Sequence, residues 1–179
     1  MLESKNTILV IIDVQGKLAQ IMHDRENLFK NLKILISGAK LLEIPIIWME
    51  QLPDKLGSTI PEIQELLPEM KPIVKNIFSC ARNDEFNMRL QKFHVHDIIL
   101  AGIESHVCIY QTAMDLLDQD YAVHVAADAV SSRTEKNKQL GLDRMLLEGV
   151  VQTSVEMVLF ELQGVAQGER FRELAKLVK

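Results

Sequence analysis

The sequence predicts an α/β fold, a Rossmann-like three-layer α/β/α sandwich with a mainly parallel sheet. Short apolar runs rich in β-branched residues, such as 7–13 and 97–103, are typical of strands buried on both faces of a sheet. These runs alternate with segments of helical periodicity, which is the pattern of strand–helix–strand units with parallel strands. No Pro-, Gly- or Ser-rich linker divides the chain, so we expect a single domain over residues 1–179.

The order of the predicted elements follows from these periodicities. In the first half we predict a strand at 7–13, a helix at 27–42, a strand at 44–49, a short helix within 56–67 and a helix within 83–93. In the second half we predict a strand at 97–103, a helix at 106–117, a strand at 121–130, a helix within 131–149, a short strand at 150–154, a helix ended by Gly164 and a helix at 169–178.

Polar residues mark the start of two of these helices. Ser58 or Thr59 is the expected N-terminal cap of the short helix, and Pro61 suits its first turn, where a missing N–H costs little. Asn83 or Asp84 is the expected cap of the helix within 83–93.

Composition limits the classes of partner. The formal net charge is -5 and the charges are scattered, which argues against a nucleic-acid surface because such a surface needs a basic stripe. No apolar run reaches the ~18 residues of a membrane helix, so we expect no membrane partner. The two cysteines, Cys80 and Cys108, are too few for a disulfide framework. With no signal-peptide pattern in "MLESKNT", they favour a cytoplasmic location.

Three kinds of reactive side chain lie near the predicted ends of strands, where open α/β sheets bind ligands. Asp13 ends the first strand, and a short turn after the strand at 97–103 leads to Cys108. Lys71 and Lys75 lie in a segment that leads toward the same edge. Because Cys108 falls near the start of a helix, we expect free N–H groups and the helix dipole to lower the pKa of its thiol.

Five motifs in this order resemble those of the isochorismatase-like (cysteine hydrolase) superfamily. They are "LVIIDVQ" at 9–15, "VKNIFSCA" at 74–81, "LAGIESHVCIYQTAMDLL" at 100–117, "VAADAVSSR" at 125–133 and "VVQTSVEMVLFEL" at 150–162. A further motif, "EQLPDKLGSTIPE" at 50–62, is similar to the small orphan branch called isochorismatase-domain-containing proteins. The resemblance covers nearly the whole chain.

The resemblance implies a catalytic triad of Asp13, Lys75 and Cys108. Cys108 would attack an electrophilic carbon to form a thioester, Asp13 would carry the proton and Lys75 would favour the anionic forms. It also implies an oxyanion hole made by the N–H groups of Glu104 and Cys108, and a cis peptide bond between Ile103 and Glu104.

The substrate is expected to be a small molecule, and the family commonly forms homo-oligomers. Besides the triad, we select five candidate pocket residues, and they suggest a partly apolar pocket without specifying a ligand. They are Gln15, Trp48, Leu52, His106 and Tyr110.

The expected metal and cofactor content is none. In the nicotinamidase branch of the superfamily, a metal is bound through an Asp-x-His pair and further histidines after the second strand. The matching stretch here, 48–58, contains Glu50 and Asp54 but no histidine, and two carboxylates alone are poor ligands for a transition metal. None of the histidines has a convincing ligand spacing; they are His23, His94, His96, His106 and His124.

The favoured function is a metal-independent cysteine hydrolase acting on a small amide, carbamoyl or enol-ether substrate. One alternative is a non-enzymatic scaffold with the same fold, which is expected to show a broken triad. Another is a metal-dependent, nicotinamidase-like amidase. A nucleotide-binding module is disfavoured because Gly16 is the only glycine in the turn after the first strand.

Overall fold

The structure is a computed structural model that describes residues 1–179. Its strands are β1 (Thr7–Ile12), β2 (Ile46–Gln51), β3 (Ile73–Lys75), β4 (Asp97–Ile103), β5 (Ala122–Ser131) and β6 (Val151–Thr153). They form one six-stranded sheet in the order β3-β2-β1-β4-β5-β6, and every neighbouring pair is parallel. The predicted parallel sheet is therefore confirmed.

Nine α-helices connect or follow the strands. They are α1 (Gly16–Gln20), α2 (Arg25–Leu41), α3 (Pro53–Leu56), α4 (Pro61–Gln64), α5 (Asp84–Gln91), α6 (Tyr110–Leu117), α7 (Glu135–Leu147), α8 (Val155–Gln163) and α9 (Gly168–Leu177). Short 3-10 helices lie at Ser4–Asn6 and Cys80–Arg82, and one π-helical turn lies at Ser105–Ile109. None of the helices combines the length and apolar character needed to cross a membrane.

Two hydrophobic cores cover the two faces of the sheet. Side chains of a strand alternate between faces, so Leu9 and Ile11 of β1 belong to one core and Val10 and Ile12 to the other. The first core includes residues of α2, α8 and α9, and the second includes residues of α5, α6, α7 and also Cys108. This arrangement is the predicted three-layer sandwich.

The strand order places a topological switch at β1. The chain runs from β1 outward to β2 and β3, and then returns to β4 on the other side of β1. Connections on either side of such a point leave a crevice at the carboxyl ends of the strands, which is where ligands bind in this type of sheet.

One predicted helix cap is confirmed and another is wrong. The side chain of Asn83 accepts a hydrogen bond from the Phe86 N–H at 2.9 Å and caps α5. By contrast, α4 follows Ile60 without a side-chain cap. Thr59 instead donates from its N–H and hydroxyl to Glu50 Oε1, at 2.6 and 2.8 Å, because this buried carboxylate needs donors more than an exposed helix end does.

Candidate active site

The first functional candidate, Asp13, directly follows β1 at the topological switch. It is 2 % exposed and has a left-handed backbone conformation, with a φ of 55°. Its N–H donates to the Met49 carbonyl at 3.2 Å, so the turn is joined to the neighbouring strand. One carboxylate oxygen, Oδ1, is buried without a hydrogen-bond partner. Such an atom is costly in a purely structural role and suits a proton acceptor.

Lys75, the last residue of β3, joins this carboxylate to the cysteine. Its side chain is fully buried. Its ammonium group donates to Asp13 Oδ2 at 2.6 Å and to Gln51 Oε1 at 2.6 Å, and it lies 3.8 Å from Cys108 Sγ. Lys71, the other lysine of this segment, is exposed. The structure therefore brings Asp13, Lys75 and Cys108 together and leaves Lys71 outside.

Cys108 lies in the π-helical turn between β4 and α6 and is 8 % exposed. The Glu104 carbonyl accepts from the N–H groups of Val107 at 3.1 Å and Ile109 at 3.2 Å, the second contact spanning five residues. Single π-helical turns are frequent at functional sites. The peptide bond between Ile103 and Glu104 is cis, and the Glu104 N–H donates to no other backbone group.

Two glycines allow close backbone contacts around this turn, one in the strand before it and one in the helix packed against it. Gly102, in β4, has a φ of 119°, and a Cβ there would lie 2.1 Å from the Ile12 carbonyl oxygen of β1. Gly141, in α7, faces the turn itself, and a Cβ there would lie 2.8 Å from the backbone nitrogen of His106. Helix α7 therefore packs directly against the turn that carries Cys108.

Burial and mutual charge decide the protonation of the three side chains. Burial raises the pKa of Asp13, although the charge of Lys75 opposes this. Burial alone would lower the pKa of Lys75, but the charge of Asp13 raises it, so the ammonium stays protonated. Burial and then the charge of Asp13 raise the pKa of Cys108. The expected lowering of the pKa of Cys108 is therefore wrong, because burial and the charge of Asp13 outweigh the effect of the helix start.

The second cysteine, Cys80, lies in the same core but has a different environment. It is fully buried, its N–H donates to Thr112 Oγ1 at 2.9 Å, and burial raises its pKa to about 12. It does not line the cavity described next. Cys80 is thus a packed core side chain, whereas Cys108 opens onto space.

A cavity of about 100 Å³ lies beside Cys108. Its apolar wall consists of Leu18, Leu56, Phe78, Ile103 and Val107. Its polar residues are Asp13, Gln51, Glu104 and Cys108. The cavity therefore offers an apolar space for a small group directly against the thiol.

None of the five pocket residues selected from the sequence lines this cavity. Gln15 lies behind its wall, where its amide donates to the carbonyls of Gln51 and Gly57 and its Oε1 accepts from the Gln51 N–H. Trp48 faces the opposite core, and its indole N–H donates to Thr59 Oγ1 at 2.8 Å. Side chains alternate along β2, so the residue that reaches the site from this strand is Gln51 rather than Trp48.

The other three of these residues are occupied elsewhere. Leu52 precedes α3 in a left-handed conformation that turns the chain, with a φ of 40°. His106 Nδ1 lies 3.0 Å from Ser132 Oγ. Tyr110 lies under the Arg144 guanidinium, whose carbon is 4.6 Å from the ring centroid. His106 and Tyr110 therefore contribute to the packing around α7 and the turn that carries Cys108, and neither lines the cavity.

Several lining residues were missed by sequence reasoning. Gln51 could have been predicted from the sequence, because it ends β2 at the same edge of the sheet as Asp13. Phe78 lies in the motif at 74–81 that also contains Lys75. Leu18, Leu56 and Val107 carry no signal that distinguishes them from other aliphatic residues.

The carboxylates at the position of the nicotinamidase metal do not fit a transition-metal site. Glu50 accepts two hydrogen bonds from Thr59, on the face of β2 opposite Gln51, and Asp54 is exposed on α3. No group of three or more His, Cys, Asp or Glu side chains is arranged to hold a metal ion.

The fold and this cluster define a Rossmann-like α/β protein with a buried cysteine, carboxylate and lysine at the carboxyl edge of its sheet. The family model of the Isochorismatase domain matches residues 7–157. The chain therefore belongs to the isochorismatase family, and the resemblance seen in the motifs is confirmed.

Relatives of similar length support this assignment. The secreted isochorismatase effector Isc1 of Phytophthora sojae is 36 % identical over 97 % of this chain and 85 % of its own length. The isochorismatase domain-containing protein 2 of Xenopus laevis is 35 % identical over 99 % of this chain and 85 % of its own length. The similarity to the orphan branch is thereby confirmed.

Solved structures share the fold. The structure described as the MAR1 ribonuclease of Caenorhabditis elegans has a TM-score of 0.91 and 35 % identity, covering 99 % of this chain and 91 % of that chain. Escherichia coli YcaC, described as an octameric hydrolase of unknown specificity, has a TM-score of 0.92, covering 98 % of this chain and 88 % of that chain. Its 22 % identity relates the two proteins by fold.

Proposed function

We propose that this protein is a metal-independent cysteine hydrolase that acts on a small amide, carbamoyl or enol-ether substrate. The observation that supports this best is the buried Lys75 ammonium, 2.6 Å from Asp13 and 3.8 Å from Cys108 beside a cavity. A purely structural ion pair needs neither a cysteine nor an open space. The intact cluster also argues against the scaffold alternative.

The first step transfers one proton and forms one bond. Asp13 Oδ1, which has no partner, accepts the proton of the Cys108 thiol. The sulfur then attacks the carbonyl carbon, and the C–O π electrons move to oxygen. The N–H groups of Glu104 and Cys108 are proposed to stabilise this oxyanion, and the Glu104 N–H has no competing backbone acceptor.

In the second step, Asp13 passes this proton on to the leaving group. Asp13 gives its proton to the leaving amine as the C–N bond breaks, which leaves a thioester on Cys108 and an ionised Asp13. Water, deprotonated by Asp13, then attacks the thioester carbon. The C–S bond then breaks and Asp13 returns the proton to the sulfur, so the products are a carboxylic acid and the restored thiol.

Lys75 is proposed to stabilise charge rather than to exchange protons. Its pKa is raised by Asp13, so it stays protonated through the cycle. Near the thiol, this fixed cation favours the thiolate that forms during attack, opposing the rise in the Cys108 pKa that burial causes. Because the nucleophile is sulfur, the mechanism needs no metal-bound hydroxide.

A ribonuclease role is the second candidate, because the similar Caenorhabditis elegans protein is described as one. The site here offers two acidic residues and a lysine whose side chain is fully buried. This arrangement is a poor match for a phosphodiester, whose negative charge needs accessible cations. We therefore rank amide hydrolysis first and propose no nucleic-acid partner.

The assembly is proposed by analogy, and the location is proposed from the state of the two cysteines. Escherichia coli YcaC is octameric, and this supports a homo-oligomer here. Both cysteines are free thiols in the structure, which is compatible with the proposed cytoplasmic location.

The test is an ammonia-release screen over small amides and carbamoyl compounds, run beside assays for enol-ether cleavage and RNA cleavage. We expect turnover that is lost in Cys108→Ala and retained in Cys80→Ala, the matched variant of the other core cysteine. RNA cleavage that survives Cys108→Ala, with no amide or enol-ether turnover, would reverse the ranking.

A further inference from the structure

The cavity also restricts the class of substrate. Building on the proposed function, we propose that the site accepts small, neutral, apolar acyl groups and excludes substrates that carry a carboxylate close to the reacting carbon, either directly on it or one methylene away. Isochorismate, a dicarboxylate, is therefore excluded although the family takes its name from it.

The size of the cavity sets the first restriction. At about 100 Å³, it falls below the roughly 300–1,000 Å³ of pockets for drug-sized ligands. Its apolar wall of Leu18, Leu56, Ile103 and Val107 offers no hydrogen-bonding side chain. Phe78, which is 54 % exposed, borders the cavity on the solvent side. A short aliphatic group fits this space best.

Charge sets the second restriction. Two acidic residues, Asp13 and Glu104, line the cavity, and no basic residue does. The nearest cation, Lys75, has three N–H donors. Two of them bind Asp13 and Gln51, and the remaining one faces the Cys108 sulfur. No donor of Lys75 is left for a substrate carboxylate.

A second cation, Arg133, is engaged outside the cavity. The Arg133 guanidinium binds Glu104 Oε1 through Nε at 3.1 Å, and the Arg133 backbone N–H binds the same oxygen at 3.2 Å. Its side chain is 55 % exposed and does not line the cavity. Arg133 therefore holds Glu104 in place instead of presenting a cation to the substrate.

A carboxylate entering this cavity would lose water and meet charges of its own sign. Both effects oppose binding, because a charge in an apolar space needs a partner. A neutral group of the same shape avoids both. The difference is expected to lower the reaction rate of an anionic ligand by roughly tenfold or more.

Two alkylating agents of nearly equal shape test this without any turnover. The Cys108 sulfur displaces iodide from neutral iodoacetamide or from anionic iodoacetate, and peptide mass spectrometry gives each labelling rate. We expect the iodoacetamide-to-iodoacetate rate ratio at Cys108 to exceed that of free N-acetylcysteine by roughly tenfold or more. Equal ratios at Cys108 and at the free thiol would overturn the inference.

Two neutralising variants assign the effect to charge. Glu104→Gln removes a carboxylate and releases Arg133, so the ratio should fall toward that of the free thiol. Arg133→Gln leaves Glu104 unpaired, so the ratio should rise. Opposite shifts of this rate ratio in the two variants support the inference. An unchanged ratio in both variants would show that shape alone governs entry to the cavity and would overturn the role of charge.

Hydrolysis of an isosteric pair separates this inference from the proposed function. Isovaleramide and malonamate differ in replacing an isopropyl group by a carboxylate. Turnover of isovaleramide alone supports both proposals, and equal turnover of the two overturns only the charge restriction. If neither amide is hydrolysed, the labelling ratio still decides the ligand class, while the hydrolase proposal loses support.

Discussion

A carboxylate is paired with a basic side chain at the carboxyl ends of the strands and again at their amino ends, called here the carboxyl edge and the amino edge of the sheet. The surroundings of the two pairs differ. At the carboxyl edge, Asp13 contacts Lys75 at 2.6 Å in full burial beside Cys108 and a cavity. At the amino edge, Asp97 Oδ1 lies 3.0 Å from His124 Nε2, with neither a thiol nor that cavity beside it. We infer from this comparison that a paired acid and base mark a candidate catalytic site only when a reactive side chain and space for a ligand accompany them.

Neutralising the acid at each edge gives the largest expected contrast. Asp13→Asn removes the proton carrier while keeping the shape of the side chain, so kcat should fall roughly 10²–10⁴-fold. Asp97→Asn, the matched change at the amino edge, should leave kcat within about twofold. Steady-state kinetics with circular dichroism as a folding control measures both. Full turnover by Asp13→Asn would remove Asp13 from the mechanism.

The cation at the carboxyl edge gives the next contrast. Lys75→Met leaves Asp13 buried and unpaired, so we expect kcat to drop by roughly a hundredfold and the free energy of unfolding to fall by about 3–5 kcal/mol. Lys71→Met, on the exposed lysine of the same segment, should change stability by no more than about 0.5 kcal/mol.

A double variant separates charge from folding. Asp13→Asn combined with Lys75→Met removes both charges, and we expect it to recover most of the lost unfolding free energy without recovering activity. Chemical denaturation measures the recovery. A reversed pattern, with Lys71→Met inactive and Lys75→Met active, would show that the wrong lysine has been assigned.

A substitution in α7 tests whether this helix positions Cys108 at the carboxyl edge, without changing Asp13, Lys75 or Cys108. Gly141→Ala places a Cβ 2.8 Å from the His106 backbone nitrogen, so the turn carrying Cys108 must shift. A displacement of this kind should lower kcat by roughly tenfold or more. Leu140→Ala, at an exposed position of the same helix, is the matched control and should keep kcat. Wild-type kcat in Gly141→Ala would mean that α7 does not position the turn.

The smallest expected effect is a displaced limb in the pH profile. Burial raises the pKa of Asp13, with partial opposition from Lys75, and Asp13 must be ionised to accept the thiol proton. The value of kcat/KM should therefore rise with pH through this raised pKa, and activity is lost at a higher pH than an ordinary aspartate would cause. His124→Gln, at the amino edge, should leave the limb in place. An alkaline rise alone, caused by thiol ionisation, would contradict this assignment.

The sequence predicted the sheet and the meeting of the three side chains for related reasons. Apolar runs of β-branched residues predict buried parallel strands, and the carboxyl ends of parallel strands lie at the same edge of the sheet. Asp13 and Cys108 follow predicted strands at that edge, whereas the choice of Lys75 over Lys71 came from the resemblance to the isochorismatase-like superfamily. The short strand β3 escaped prediction because three residues carry too little periodicity.

The cavity wall was harder to predict because it depends on side-chain direction. Alternation along β2 alone would have assigned Gln51 to the face of Cys108 and Trp48 to the opposite face. No comparable rule covers Val107, since a π-helical turn changes which residues share a face. The protonation of Cys108 also eluded prediction, because the sequence reveals the helix start but not the burial that outweighs it.

The single unpartnered oxygen of Asp13 limits how hydrogen moves in this site. Lys75 is committed to three neighbours and stays charged, so the carboxylate has one free position for an arriving proton. In the proposed mechanism, the Cys108 sulfur and the leaving-group nitrogen therefore use this one oxygen in turn, without a relay through bulk solvent. If proton transfer to or from Asp13 limits the rate, the rate in mixtures of light and heavy water should vary linearly with the deuterium fraction. A linear dependence is expected when a single proton moves in the rate-limiting step.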